Sequence, residues 1–347
     1  MKRIALTQES GDSGDMLHWR TSQFLSHLSL VRLLATGGAA LALAHCSPHY
    51  TLVNQPKHSE EIARRNETFG YRKWVAKHAE PDVVIIGLHG FDGASLDYEN
   101  LGKYLLSSQP KTALYAYELR GQGNDPLKPR RGDIDHPADW YVDLDTFTRT
   151  IRKRHPGAKI VWMGESMGAL ILSHAWCQAP ANRPPCDALI LSSPVVKIRE
   201  DVPKWKVDLL HLAADTAPLA RISLDTLSGG QDVQMTHDST HSTQVQTNAW
   251  HVEKNTLRLL STIGDQISSM NECARTFDVP VLVLHGNKDF FTDESALREF
   301  VRHIPASTPK TVRIYPDSYH LLMHDRQKEK VVRDVGKWVD RLRRNAF

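Results

Sequence analysis

The chain has 347 residues, 41% of them apolar and 24% charged, with a formal net charge of +3. That length can bury one large α/β core or two small ones, and the composition is ordinary for a globular protein. A net charge so small and scattered argues against a nucleic-acid partner.

The first recognisable element is a leader. Residues 28–44 read LSLVRLLATGGAALALA, with one charge at Arg32 and an uninterrupted apolar run of 12 residues from Leu33 to Ala44. This suits the apolar core of a signal peptide better than a membrane span, which needs about 20 residues. Ala42-Leu43-Ala44 supplies a small-x-small cleavage pattern. Cys46 suggests a lipid anchor, but His45 stands where that signal wants a small residue. The expectation is a signal peptide or N-terminal membrane anchor over 1–44, export to the periplasm or beyond, and a polar linker or strap over 45–70.

Strand-like and helical stretches then alternate. Val83 to Leu88 is a continuous apolar run ended by His89-Gly90, as expected of a strand buried on both faces. Thr112–Tyr117, Lys159–Met163, Ala188–Leu191, Val281–Leu284 and Thr311–Tyr315 repeat the pattern. Between them, Asp139 to Arg154 places Tyr141, Leu144, Phe147, Thr148 and Ile151 at helical spacing, and its basic last turn, Arg152-Lys153-Arg154, suits the helix dipole. Val331, Val335, Trp338 and Leu342 mark another helix. The alternation predicts a mostly parallel sheet with helices on both faces.

It breaks between Val195 and Thr276, where two helical stretches, Trp205–Ala214 and Thr256–Met270, replace strands. The division expected is a core of 71–194 and 277–347 interrupted by a helical cap, 195–276. Its apolar stripe of Leu257, Leu260, Ile263 and Ile267, with Trp205, Leu209 and Leu212, is expected to form a mobile cap over the substrate, as insertions beyond the carboxyl ends of strands do. Cysteines 46, 177, 186 and 273 have no metal spacing. Cys177 and Cys186 flank the Pro-rich APANRPP stretch and either pair as a disulfide or stay as thiols.

The chemistry centres on KIVWMGESMGALIL, residues 159–172. A bare Gly-x-Ser-x-Gly is a weak pattern, but here it joins a buried strand to a small-residue helix, a corner that exposes a serine hydroxyl. Such a serine needs a base oriented by a carboxylate, in the chain order serine, acid, histidine. Asp289 follows the strand Val281–Leu284 and His320 follows Thr311–Tyr315, so both belong to the sheet edge that carries Ser166. Backbone N–H groups of Met167 and Phe91 are the candidate oxyanion donors. His324 competes with His320 only weakly. His237 and His241 have i, i+4 metal spacing but no third ligand, which favours a solvated polar stretch. Arg120 and Asp143 read as structural, Gly121 and Gly123 as turn residues. No metal or cofactor is expected.

HGFDGAS, YAYELRGQGND, GESMGA, LVLHGNKD and YPDSYHLLMHD, in that order, resemble the motifs of the α/β-hydrolase family, within it the branch of monoacylglycerol lipases, lysophospholipases and serine aminopeptidases. The likeness runs over about residues 70–345. It implies an α/β-hydrolase fold with a helical lid, a triad of Ser166, Asp289 and His320, an oxyanion hole at Phe91 and Met167, and a small acyl ester or lipid as substrate. Association with a membrane surface and the oligomeric state stay open. Glu118, Gln122 and Asn124 depart from the Asp, His and Ser usual in that family's turn. An aminopeptidase, using cap acids Glu200, Asp201, Asp208 or Asp215 to hold an amine, and a non-catalytic binding protein remain alternatives. Dehalogenase and epoxide hydrolase chemistry would want an Asp at position 166.

Overall fold

The computed structural model describes residues 69–180, 184–223, 233–238 and 251–347. The leader expected at 1–44, almost all of the strap at 45–70, Cys46 and His241 lie outside the described residues.

Seven strands form the main sheet: β1 (Tyr71–Trp74), β2 (Val83–Leu88), β3 (Thr112–Tyr117), β4 (Lys159–Glu165), β5 (Ala188–Ser192), β8 (Val281–Gly286) and β9 (Lys310–Tyr315). Their order is β1-β3-β2-β4-β5-β8-β9, with β1 antiparallel to β3 and the other pairs parallel. The continuous apolar runs of β2, β3, β5 and β8 are buried along their whole length, because helices cover both faces. Alternate residues serve the two faces. Val84, Ile86 and Leu88 of β2 join one core with helices α2 (Ala138–Arg154), α3 (Met167–Cys177) and α7 (Glu294–His303). Val83 and Ile85 join the other, with α1 (Glu99–Ser108) and α8 (Lys328–Arg343).

The order places the site. The chain leaves β2 toward one edge of the sheet and leaves β4 toward the other, although β2 and β4 are neighbours. The loops beyond their carboxyl ends therefore diverge and leave a crevice, where ligands of open α/β sheets bind.

Between β5 and β8 lies the helical excursion: α4 (Lys204–Thr216), α5 (Leu257–Ser268) and α6 (Met270–Ala274). Its neck is closed by a short antiparallel pair, β6 (Arg221–Ile222) with β7 (Asn255–Thr256). Thr256 N–H donates to Gly132 O at 2.7 Å, and Arg258 holds the Asp133 carboxylate with two nitrogens. The apolar residues of this segment fall into two groups. Leu259 is fully buried in the main core, with Ile263 and Ile267 against it, and Leu257 and Leu260 are buried too. Part of that face of α5 therefore packs on the main core. Met270 and Ala274 of α6 pack in the main core as well. Among the described residues of this segment, α4 keeps its apolar side outward: Trp205, Leu209 and Leu212 are 58%, 51% and 60% exposed.

Cys177, Cys186 and Cys273 are all thiols. Cys186 is buried and donates to Ala188 O, whereas the neighbour of Cys177 is Cys273, so the two ends of the Pro-rich stretch are not bridged.

Candidate active site

Ser166 follows β4 without a break and caps α3 with φ 52° and ψ −116°, a conformation foreign to an L-residue. The turn is tight because α3 doubles back onto the sheet. A Cβ on Gly164 would stand 2.4 Å from the Gly168 carbonyl carbon, and one on Gly168 would stand 2.1 Å from Leu88 O. The two glycines are thus where helix, strand and neighbouring strand touch backbone to backbone. Ser166 N–H donates to Ser192 O at 2.9 Å, which ties the corner to β5.

The next loops bring the other two residues together. Asp289 Oδ2 accepts from His320 Nδ1 at 2.8 Å, and both side chains are almost wholly buried. Since the carboxylate accepts, Nδ1 carries the proton and Nε2 keeps a free lone pair. That Nε2 is buried and makes no hydrogen bond to any described residue. Burial opposes ionisation of Asp289, but the charge and hydrogen bond of His320, the charge of His285 and the Phe291 N–H outweigh it, and its pKa is held below the ordinary carboxylate value. His285 itself is pushed down by burial, and the edge of the Phe291 ring rests against His320 at 4.7 Å. The His320 carbonyl accepts from Ser193 Oγ at 2.6 Å, one residue beyond the Ser192 carbonyl that Ser166 engages.

The loop after β2 reaches the same corner. A Cβ built on Gly90 would lie 3.3 Å from Ser166 Cβ and 4.0 Å from its Oγ. His89 is buried; its Nε2 accepts from Leu119 N–H at 3.0 Å, which leaves Nδ1 as the donor to Gly90 O at 2.9 Å. On either side of Phe91, the N–H groups of Asp92 and Gly93 are committed, to Gln122 Oε1 at 3.0 Å and to Gly90 O at 3.2 Å. Glu118 is buried and accepts from Ser95 N, Ser95 Oγ and Arg72. The two unusual residues Glu118 and Gln122 therefore fasten this loop. Met167 takes the first helical position of α3, whose N–H has no partner inside the helix.

Several neighbours were invisible to pattern reading. Glu165, beside Ser166, is buried with Oε1 unpaired, and burial together with the Asp97 charge pushes its pKa up to about 8. Asp325 gathers the backbone around His320 from five residues away. His324 lies toward Asp97, with Nε2 3.2 Å from Asp97 O. His237 pairs with Asp325, and no group of three metal-type ligands occurs among the described residues. Arg120 and Asp143 form a buried two-point ion pair, a structural part as expected.

The family described as serine aminopeptidase, S33, matches residues 79–327. A monoacylglycerol lipase of Mycolicibacterium smegmatis is 24% identical over 274 residues, 78% of this chain and 91% of that one. Among solved structures, the monoacylglycerol lipase of Paleococcus ferrophilus superimposes with a TM-score of 0.61 at 20% identity, over 78% of this chain and 97% of that one. A soluble variant of the Saccharomyces cerevisiae monoglyceride lipase, bound to a substrate analogue, does so at 0.65 and 18%, over 79% and 92%.

Proposed function

This chain has the α/β-hydrolase fold and belongs to the serine aminopeptidase S33 family, and from that premise we propose a serine hydrolase of carboxylic esters, of the monoacylglycerol or lysophospholipid type. The observation that carries the reading is one strained serine at the crevice, with a buried Asp289–His320 pair on the same sheet edge. Ser166 Oγ attacks the ester carbonyl while His320 Nε2 takes its proton. The tetrahedral oxyanion is held by the Phe91 and Met167 N–H groups. Collapse expels the alcohol, which receives the proton from His320, and leaves an acyl-serine. Water, deprotonated by the same Nε2, then attacks the acyl-serine, and collapse returns that proton to Ser166 Oγ and releases the carboxylic acid. Asp289 keeps the ring in the required tautomer and stabilises the imidazolium. No metal or cofactor enters this scheme.

The lipid side of the reading is supported by the named relatives and by the outward apolar face of α4, which we read as a surface for a membrane or lipid droplet. Export or anchoring through the leader at 1–44 belongs to the same proposal. The aminopeptidase reading is less well served. Of its four cap acids, Glu200, Asp201 and Asp208 face Lys197, Arg199 and Lys204 in exposed pairs of the same segment, which lessens the negative charge they offer an amine and leaves Asp215.

The deciding experiment treats wild type and Ser166→Ala with a fluorophosphonate, then offers monoacylglycerols, lysophospholipids, p-nitrophenyl esters and aminoacyl amides. Labelling and ester turnover that vanish together in Ser166→Ala are expected. Turnover of p-nitrophenyl butyrate at near wild-type rate by Ser166→Ala would refute the nucleophile, and faster cleavage of aminoacyl amides than of esters would refute the substrate class.

A further inference from the structure

We propose that the insertion is tethered to both reacting loops through two histidine–aspartate contacts, His237 to Asp325 at the His320 loop and His251 to Asp92 at the Phe91 loop, and that these histidines are positioning residues for the reaction. The inference rests on the reading of Ser166, His320 and Phe91 given above.

At the first tether, the backbone on both sides of His320 is anchored. Tyr319 N–H donates to Asp325 Oδ2 at 2.7 Å, and Leu321 N–H donates to Met235 O at 3.0 Å. Met235 belongs to the insertion. Its two successors continue along the same loop: Thr236 Oγ1 donates to His324 O at 3.0 Å, and His237 meets Asp325 Oδ1 with both its backbone N–H at 3.1 Å and its Nδ1 at 2.6 Å. The His237 ring also lies 4.6 Å from that of Tyr319. Asp325 is 2% exposed, so its carboxylate is satisfied by these donors rather than by water.

The second tether repeats the chemistry on the other reacting loop. Asp92 directly follows Phe91 and holds a left-handed φ of 55°. Its Oδ1 accepts from Val252 N–H at 2.8 Å, and its Oδ2 accepts from His251 Nδ1. In each case the insertion supplies a backbone N–H and a histidine Nδ1, and the core supplies the carboxylate. In each case the carboxylate's own loop carries a reacting group. Charge-assisted bonds of this kind are stronger and more directional than neutral ones. A displacement of about 1 Å at a reacting group costs on the order of 100-fold in rate, so fastening these loops sets the rate without touching substrate.

The test replaces each histidine by Ala, Asn and Gln and measures kcat and KM on p-nitrophenyl butyrate per fluorophosphonate-titrated site, which leaves unfolded molecules out. Asn Nδ2 and His Nδ1 are both bonded to Cγ, so Asn keeps the donor in place, whereas Gln keeps bulk and moves the donor one atom outward. His237→Ala and His251→Ala are expected to lose about 10- to 100-fold in kcat with KM within about threefold. Asn should restore most of the loss and Gln should not. Wild-type kcat in the Ala variants, or in the Gln variants where Ala fails to fold, overturns the tethers. So does an Asn variant as impaired as Ala. Ser166→Ala run in parallel separates the two levels: if it stays active, the reading of the site has failed, and if it is dead while the Ala and Gln variants are fully active, only the tethers have.

Discussion

Ser166 occupies a backbone conformation that costs of the order of 1–3 kcal/mol in an L-residue, and the strain lies at the one position proposed to react. Replacing Ser166 by Ala keeps the Cβ and therefore the strain, while Ser166→Gly removes it and loses about 0.5–1 kcal/mol through the freer unfolded chain. Ser166→Gly is expected to be more stable than Ser166→Ala by about 1 kcal/mol, as read from urea midpoints. A Gly variant no more stable than the Ala variant would show that the surrounding backbone, not the side chain, bears the cost. The adjacent Glu165 makes a pH prediction. Its pKa is pushed up to about 8 by burial and by Asp97, against 4.5 when free. Between those values the folded state keeps a proton that the unfolded state has lost, so stability is fully present below about pH 4.5 and falls as pH rises toward 8. The total is on the order of 5 kcal/mol. Glu165→Gln cannot ionise and should flatten this fall, melting higher than wild type at pH 8 and much like it at pH 4.5. Parallel melts of the two proteins at both pH values check this, and equal slopes would mean that Glu165 is hydrated when ionised.

At the scale of elements, the corner depends on α3 lying against the ends of β2 and β4. A methyl on Gly168 would meet Leu88 O at 2.1 Å, an overlap that no rotamer change relieves because the obstacle is backbone. Gly168→Ala should therefore push the helix off the strand, at a cost of about 3 kcal/mol or more, with activity lost even in the folded fraction. A Tm within about 1 °C of wild type would argue that α3 slides freely. The same elements explain what was legible in advance. Strands buried on both faces, β2, β3, β4, β5 and β8, announce themselves as apolar runs, and the residues that follow three of these runs fall in line at the sheet edge. The edge strand β1, Tyr-Arg-Lys-Trp, is short and half-buried, so its residues carry no such run. The α5 stripe was legible as an apolar face but its partner was not. Periodicity says which side is buried, while only topology says that α3 lies against it. Asp92 and Asp325 were silent because their meaning resides in partners 160 and 88 residues away in the chain.

On the scale of the whole molecule, the described residues contain no helix long and apolar enough to cross a membrane, yet α4 presents Trp205, Leu209 and Leu212 to solvent. These positions recur at helical spacing; Lys206 Nζ lies 5.9 Å from the tryptophan ring centroid, and Lys204 pairs with Asp208. An outward apolar face on one amphipathic helix suits a lipid interface. Burying what remains exposed of the three side chains is worth about 1 kcal/mol each, about 3 kcal/mol together. That corresponds to on the order of 100-fold in partitioning, enough for reversible adsorption and far from a permanent anchor. A substrate presented in a surface should feel this difference, and a dissolved one should not. Trp205→Ser, Leu209→Ser and Leu212→Ser combined are expected to lower binding to phosphatidylglycerol-containing vesicles about 100-fold. Turnover of vesicle-borne monoacylglycerol should fall with it, while kcat/KM on dissolved p-nitrophenyl butyrate stays within about twofold. Equal vesicle binding by the triple variant would remove the membrane role from α4. Equal losses on both substrates would instead mean that the α4 face bears on the reacting groups themselves.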